Sequence, residues 1–113
     1  MTGKNHEYIP DNWVVIRIPH PDEKSGHFYK ILAGWSGGYL DGDSWRMNSG
    51  ITKIVEEKNH YEIHGESSSV YICRKGQEKL RINCAHVWYT LKKQVPDVKL
   101  VEIKDVMEEI NAS

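Results

Sequence analysis

The chain has 113 residues, of which 39% are hydrophobic and 27% charged, a size and composition that fit one globular domain and exclude two. No apolar run approaches the roughly 20 residues of a membrane helix, so we expect no association with a membrane. The net charge of -1 at pH 7 argues against strong generic binding to nucleic acid, which requires a basic surface.

The first part of the chain is polar. We expect a single domain that spans residues 1–113, in which residues 1–11 are loosely held. These residues contain no apolar stretch of the kind found in secretory signals. The default expectation is therefore a cytoplasmic protein. Cys73 and Cys84 are then predicted to be free thiols, because disulfides are rare in the cytosol.

Two strands are predicted before a long glycine-rich segment. Residues 13–18 are mainly β-branched or aromatic and end at Pro19, and residues 28–35 have a similar pattern. We expect the two strands to pair antiparallel. The segment Gly34–Gly50 shows no clean period and is too long for a hairpin turn, so it is predicted to be a structured loop, a kind of segment that often carries function.

The rest of the chain predicts short strands and one clear helix. The strands are expected at 51–56, 60–64, 69–74, 80–82 and 98–103. A helix at about 83–95 is indicated by an N-cap residue type at Asn83 and by Pro96 after its end. One apolar stripe runs along it, formed by Cys84, Val87, Trp88, Leu91 and Val95.

These elements predict an α+β fold. We expect a curved antiparallel sheet of about five to six strands, with the helix at about 83–95 packed on one face. A short C-terminal helix is predicted from the spacing of Val106, Met107 and Ile110.

The glycine-rich segment Gly34–Gly50 is the first candidate for a binding site. It combines aromatic platforms, carboxylates and a guanidinium on a backbone that glycine makes adaptable, and Trp and Arg are enriched at binding hot spots. The predicted binding residues are Trp35, Tyr39, Asp41, Asp43, Trp45, Arg46 and Asn48. The alternative is structural, with the Trp side chains in a satellite core and Arg46 paired to Asp41 or Asp43.

No metal, cofactor or catalytic residue is predicted. The possible zinc ligands are His64, Cys73, Cys84 and His86, and they lack the paired spacing of structural zinc sites. Asp41 and Asp43 resemble the start of a calcium loop, but Thr52 occupies the position where such a loop requires Glu. The sequence also contains no phosphate-binding glycine motif.

One resemblance covers most of the chain, over about residues 12–90. The run Gly-Trp-Ser-Gly-Gly-Tyr at 34–39 and the run Gly-Asp-Ser-Trp-Arg-Met-Asn-Ser-Gly-Ile at 42–51 resemble small uncharacterised proteins of tailed bacteriophages. The order of His64-Gly65, Ser69-Val70-Tyr71 and the helix start at Asn83 is also similar. The resemblance implies a phage context and supplies no activity that can be transferred.

The favoured hypothesis is a small non-enzymatic interaction module, a phage or prophage accessory protein that binds a host or phage protein. Trp45 and Arg46 would be its anchors. One alternative is a small hydrolase that uses Asp41, Asp43, His64 or His86. The other is a single-stranded nucleic-acid-binding domain, with Tyr and Trp side chains as stacking platforms.

Overall fold

The computed structural model describes residues 6–21, 26–38 and 42–112, and within them it contains two four-stranded sheets and two helices. The helices are α1 (Ile82–Gln94) and α2 (Ile103–Ala112). The strands in chain order are β1 (His6–Tyr8), β2 (Asn12–Pro19), β3 (His27–Gly38), β4 (Gly42–Met47), β5 (Ile51–Glu56), β6 (His60–Gly65), β7 (Ser69–Arg74) and β8 (Lys99–Val101). The predicted α+β class is therefore confirmed.

The strands form two sheets, where the sequence predicted one sheet of five to six strands. The central sheet has the order β4-β3-β2-β8 and is antiparallel throughout. The outer sheet has the order β1-β7-β6-β5, in which only the β1–β7 pair is parallel. The prediction of a single curved sheet was wrong because β5, β6 and β7 pair with one another and with β1, and not with β2 or β3.

The main core lies between the two sheets. Alternate residues of each strand point into it, and α2 closes one side through Ile103, Val106 and Ile110. Trp13 is fully buried at its centre, and its Nε1–H donates a hydrogen bond to the Arg74 carbonyl at 3.0 Å. The sheets contribute Trp13, Val15, Tyr29, Ile31, Ala33, Ile54, Tyr61, Ile63, Tyr71 and Cys73.

A second core lies between the central sheet and α1. It contains the residues of β2 and β3 that point away from the outer sheet, packed against the apolar stripe of the helix. The members that are buried are Val14, Ile16, Leu32, Cys84, Trp88 and Val98. Strand β2 is thus covered on both faces, which explains its unbroken apolar run. The order of layers is outer sheet, central sheet, α1.

Helix α1 confirms the predicted helix within one residue at each end, but its N-cap residue differs from the predicted one. Arg81 occupies the N-cap position without a capping hydrogen bond from its side chain. Asn83 lies inside the helix, where it is buried and its Nδ2 donates to Asn12 Oδ1 at 3.0 Å. The interaction with Asn12 holds the helix start on β2, and it takes the place of the local cap that the sequence suggested.

The glycine-rich segment is a β-hairpin and not the predicted loop. Strand β3 continues to Gly38, and β4 returns from Gly42 to Met47, with Gly34 opposite Trp45. A Cβ atom added at Gly34 would lie 2.6 Å from Cys84 Sγ and 2.7 Å from Asn83 Nδ2. This glycine is therefore required by the close approach of α1 to the sheet, and it does not indicate a loop.

Two other details differ from the predicted elements. Residues 80–82 form no strand, because Ile82 begins α1, and the nearest pairing is an isolated bridge between Glu78 and Trp13. Strand β8 is short, since Ile103 begins α2. The Glu78 carboxylate accepts a 2.7 Å hydrogen bond from the Ile103 N–H at that helix start. Neither described helix has the length and apolar character needed to cross a membrane.

Candidate functional site

Trp45 is a predicted binding residue whose large apolar side chain lies exposed on the fold. Its side chain is 46% exposed, although Trp is the largest apolar side chain and is usually well covered. It lies on β4, and strand alternation places it on the same side as Met47, toward α1. Gly34 stands opposite Trp45 on β3 and offers no side chain to cover the indole.

A mainly apolar groove of about 330 Å³ separates β4 from α1 beside this indole. We call it the Trp45 groove. Its walls are formed by Trp45, Met47, His86, Val87, Thr90, Leu91 and Gln94. Val87 and Leu91 belong to the apolar stripe of α1, and they are only partly buried where they line the groove.

The exposed face of α1 extends this surface. Ile82 is 85% exposed and Tyr89 is 65% exposed, one at the start of the helix and the other two turns later. Tyr89 also lines a shallow depression with Thr90, Lys92 and Lys93. Since Thr90 belongs to both depressions, the cationic end of α1 adjoins the Trp45 groove.

Arg46 points to the other side of β4 and takes part in an aromatic cluster. Its guanidinium lies 4.5 Å from the centre of the Tyr8 ring. Tyr8 stacks on Tyr71 at 5.1 Å and meets Trp35 edge-on at 6.2 Å. The Trp35 Nε1–H donates to the Ile9 carbonyl at 2.9 Å. These contacts hold β1 and the residues after it against the two sheets, so Trp35 and Arg46 support the fold beside Trp45.

Asn48 is buried where it continues the pairing of β4 with β3. Its backbone N–H donates to the Ile31 carbonyl at 3.2 Å, and its Oδ1 accepts from the Ile31 N–H at 2.9 Å. The amide group therefore replaces a backbone carbonyl of the ladder. Of the other predicted binding residues, Tyr39 and Asp41, and also the side chain of Asp43, lie outside the described part of the chain.

The four residues that were considered as zinc ligands are distributed over separate layers. His64 lies on the outer sheet, His86 lies on α1, and each cysteine belongs to a different core. Burial raises the pKa of both thiols, Cys73 and Cys84. Among the residues that the structure describes, no three His, Cys, Asp or Glu side chains are grouped so that they can hold a metal ion.

A row of three titratable side chains lies on β6. Glu62 Oε1 is 3.6 Å from His64 Nε2, and Glu62 Oε2 is 4.0 Å from His60 Nε2. Residues two apart in a strand share a face, and Tyr61 and Ile63 between them point into the main core. The row is a partly exposed set of polar contacts at 3.6 and 4.0 Å, and contacts of this kind at a surface contribute little to stability.

A polar cluster that the sequence did not reveal joins β3 to α2. His27 Nε2 lies 2.7 Å from Glu109 Oε2, and the Tyr29 hydroxyl donates to Glu109 Oε1 at 3.0 Å. The cluster borders a cleft of about 360 Å³ that is also lined by Phe28, Ile51, Thr52 and Ile110. His27 and Tyr29 alternate along β3, but Glu109 lies 82 residues from His27 in sequence, so no local pattern predicts their contact.

The electrostatics of this cluster indicate that it acts as a clamp that holds α2 against β3. Hydrogen bonds from His27 and Tyr29 lower the pKa of Glu109, while burial, followed by the hydrogen bond to Glu109, raises the pKa of Tyr29. Both carboxylate oxygens are engaged by protein groups. The hydroxyl of Thr52, which also lines the cleft, donates to the His64 carbonyl at 3.2 Å. The cluster fixes α2 on β3 and offers no evident nucleophile.

Comparison with protein-family models, with curated proteins and with solved structures finds no match to this chain.

Proposed function

We propose that the chain is a non-enzymatic interaction module that binds a partner protein through the Trp45 groove. The observation that carries this proposal is the 46% exposure of Trp45 beside an apolar groove of about 330 Å³. Trp supplies much of the binding energy at protein interfaces, where it packs into desolvated pockets of the partner. Burial of this indole and of the groove walls by a partner would remove apolar surface from water.

The contrast with the neighbouring aromatic side chains supports this assignment. Trp13 is fully buried, and the indole N–H groups of Trp13 and Trp35 both donate to backbone carbonyls. Trp45 is about half exposed, so its indole contributes less to the fold than the indoles of Trp13 and Trp35. Arg46 stacks on Tyr8, and we therefore assign the role of anchor to Trp45 alone, with Arg46 as a support for β4.

The resemblance of residues 34–51 to small proteins of tailed bacteriophages adds a context to the proposal. In this context the chain is an accessory protein of a phage or prophage, and its partner is a host or phage protein in the bacterial cytoplasm. Accessory proteins of this kind act by occupying a surface of the partner, which requires no catalytic group in the module itself.

The placement of the histidines favours binding over hydrolysis. His64 and His86 are the members of the residue set considered for a hydrolase whose side chains the structure describes, and both sheets separate them. A hydrolytic site needs its acid, base and nucleophile within hydrogen-bond reach of one another. These two side chains do not meet that requirement.

The experiment is affinity capture from bacterial lysate with the tagged full chain and its Trp45→Ala variant. The matched control is Leu100→Ala, because Leu100 is 40% exposed on β8 at the opposite edge of the same sheet. Circular dichroism and chemical denaturation establish that both variants fold. We expect a protein that is retained by the wild type and by Leu100→Ala and lost with Trp45→Ala.

The captured protein is then purified and titrated in a calorimeter. Since a hot-spot Trp contributes about 2 kcal/mol or more, we expect Trp45→Ala to raise Kd by at least about tenfold. Equal affinity of the wild type and Trp45→Ala would contradict the proposal and leave Trp45 as a surface residue without a binding role.

A further inference from the structure

The edges of the two sheets are protected to different degrees. The β5 edge is covered by α2, because the Asn111 side chain bonds both the N–H and the carbonyl of Ile54. The edge strands β1 and β8 have only three residues each. Strand β4 has six residues and is the terminal strand of the central sheet. Unprotected edges of this length are sites where an additional strand can pair.

The alternation of hydrogen-bonded and non-hydrogen-bonded pairs between β3 and β4 shows which backbone groups point outward from the free edge of β4. Asn48 donates its N–H to Ile31, so hydrogen-bonded pairs fall at every second residue from this point. Trp45 and Met47 then occupy non-hydrogen-bonded positions. The carbonyl of Gly34, which stands opposite Trp45, accepts from the Asp11 N–H on the β2 side, in agreement with this phase.

It follows that the N–H and carbonyl groups of Trp45 and Met47 are directed away from β3. The side chains of the same two residues line the Trp45 groove. A strand added to this edge would therefore bond the backbone of these residues and place alternate side chains of its own over the groove. The open edge and the apolar groove form one continuous surface.

The charge of the helical wall indicates the composition of that strand. Residues 79–96 contain no Asp or Glu, and their Lys, Arg and His members are Lys79, Arg81, His86, Lys92 and Lys93. Lys92 donates to the carbonyls of Pro96 and Val98. Within the described residues, no carboxylate forms an ion pair with Arg81 or Lys93. The end of α1 beside the groove, which carries Lys92 and Lys93, is thus positive and is complementary to an acidic segment.

We propose that the partner presents an extended acidic segment that pairs with the outer edge of β4 as an added strand. One large apolar side chain of the segment occupies the Trp45 groove, and Asp or Glu residues around it face the positive end of α1. This inference rests on the proposed function, because it specifies the partner of the same groove. Nucleic acid fits less well, since Met47, Val87 and Leu91 make the groove apolar and nucleic-acid binding requires several free cations along the site.

The first test is selection of short random peptides, displayed on phage or yeast, against the full chain. We expect peptides in which Asp or Glu flanks a large apolar residue, selected by the wild type and by Leu100→Ala but not by Trp45→Ala. In a direct titration of one such peptide, Lys93→Glu should weaken binding about tenfold or more. The control Lys58→Glu, an exposed turn residue before β6, should leave the affinity unchanged.

The second test examines the backbone. N-methylation should abolish binding when it is placed on one set of alternate residues of the selected peptide. It should leave binding nearly unchanged when it is placed on the other set. Hydrogen exchange should slow at the amides of Trp45 and Met47 when the peptide is bound, with less change at Ser44 and Arg46. Uniform tolerance of N-methylation, or unchanged exchange at Trp45 and Met47, would overturn strand addition.

The remaining outcomes separate this inference from the proposed function. If no peptide is selected, or if the selected peptides lack acidic residues, the inference is overturned. The proposed function still stands in that case if a folded partner from lysate is lost with Trp45→Ala. If single-stranded oligothymidylate displaces the peptide with a steep dependence on salt, the surface binds nucleic acid, and the inference and the proposed function both fail.

Discussion

The side chain of Asn111 pairs with the backbone of Ile54 as a neighbouring strand would. Asn111 Oδ1 accepts from the Ile54 N–H at 2.9 Å, and Asn111 Nδ2 donates to the Ile54 carbonyl at 2.8 Å. A single amide thereby satisfies two outward-facing groups of the β5 edge and ties α2 to the outer sheet. The same relationship prevents an added strand from pairing there, which leaves β4 as the longer accessible edge.

Replacement of Asn111 by Ala should lower the free energy of unfolding by about 1–2 kcal/mol, because two hydrogen bonds to the backbone are lost. Asn111→Asp should also destabilise, since it keeps the acceptor but loses the donor to Ile54. Urea denaturation followed by circular dichroism measures both effects. The control is Glu108→Ala on the exposed side of α2, and an equal loss in that variant would show that the effect does not come from the hydrogen bonds to Ile54, because Ala itself favours a helix.

Gly34→Ala should destabilise the fold by about 1–3 kcal/mol, the usual cost of overpacking a core. The added Cβ would lie 2.6 Å from Cys84 Sγ, and Gly34 is not among the glycines with positive φ, so the cost is steric and not conformational. The double variant Gly34→Ala/Cys84→Ala should recover part of the loss. Strict additivity in this double-mutant cycle would place the strain elsewhere.

The elements with strong local patterns could be predicted from the sequence, and the arrangement of the sheets could not. The stripe from Cys84 to Leu91 predicts α1, and the apolar run Trp13–Ile16 predicts β2. That run is apolar at consecutive positions because both faces of β2 are covered, which is a signal for a three-layer fold. Which strands share a sheet depends on contacts distant in sequence, and a local pattern does not contain them.

The sequence directed attention to the glycine-rich segment, but the positions of its side chains depended on the hairpin. Trp35 and Trp45 lie in similar glycine-rich surroundings. The register of β3 with β4 places Trp35 toward the main core and Trp45 toward α1. A shift of this register by one residue would move each side chain to the opposite face of the sheet. Gly34, one of the glycines that suggested a loop, instead permits the close contact with α1.

Acid should remove the contribution of Glu109 to stability. The pKa of its carboxyl is lowered in the folded state by hydrogen bonds from His27 and Tyr29, so its stabilisation is present above the pKa of an unfolded Glu, about 4.3. It is lost as the pH falls through the lower, folded-state pKa. The difference in unfolding free energy between the wild type and Glu109→Gln should therefore shrink below about pH 4.

Urea denaturation at each pH measures this difference, with Glu108→Gln as the matched control on the same helix. The control should show no comparable dependence on pH. If the advantage of the wild type over Glu109→Gln persisted unchanged at pH values well below the ordinary Glu range, the ionised carboxylate would not be the stabilising form. The clamp between β3 and α2 would then depend on the neutral carboxyl group.

Both cysteine thiols should be inert in the folded protein. Cys73 and Cys84 are fully buried, and burial raises the pKa of each thiol, which lowers the fraction of reactive thiolate. A disulfide-exchange reagent such as Ellman's reagent should therefore react in native buffer only as fast as the protein opens, and rapidly with two thiols per chain in denaturant. Fast reaction of one thiol under native conditions would show an accessible cysteine and would contradict the burial of both thiols in the folded protein.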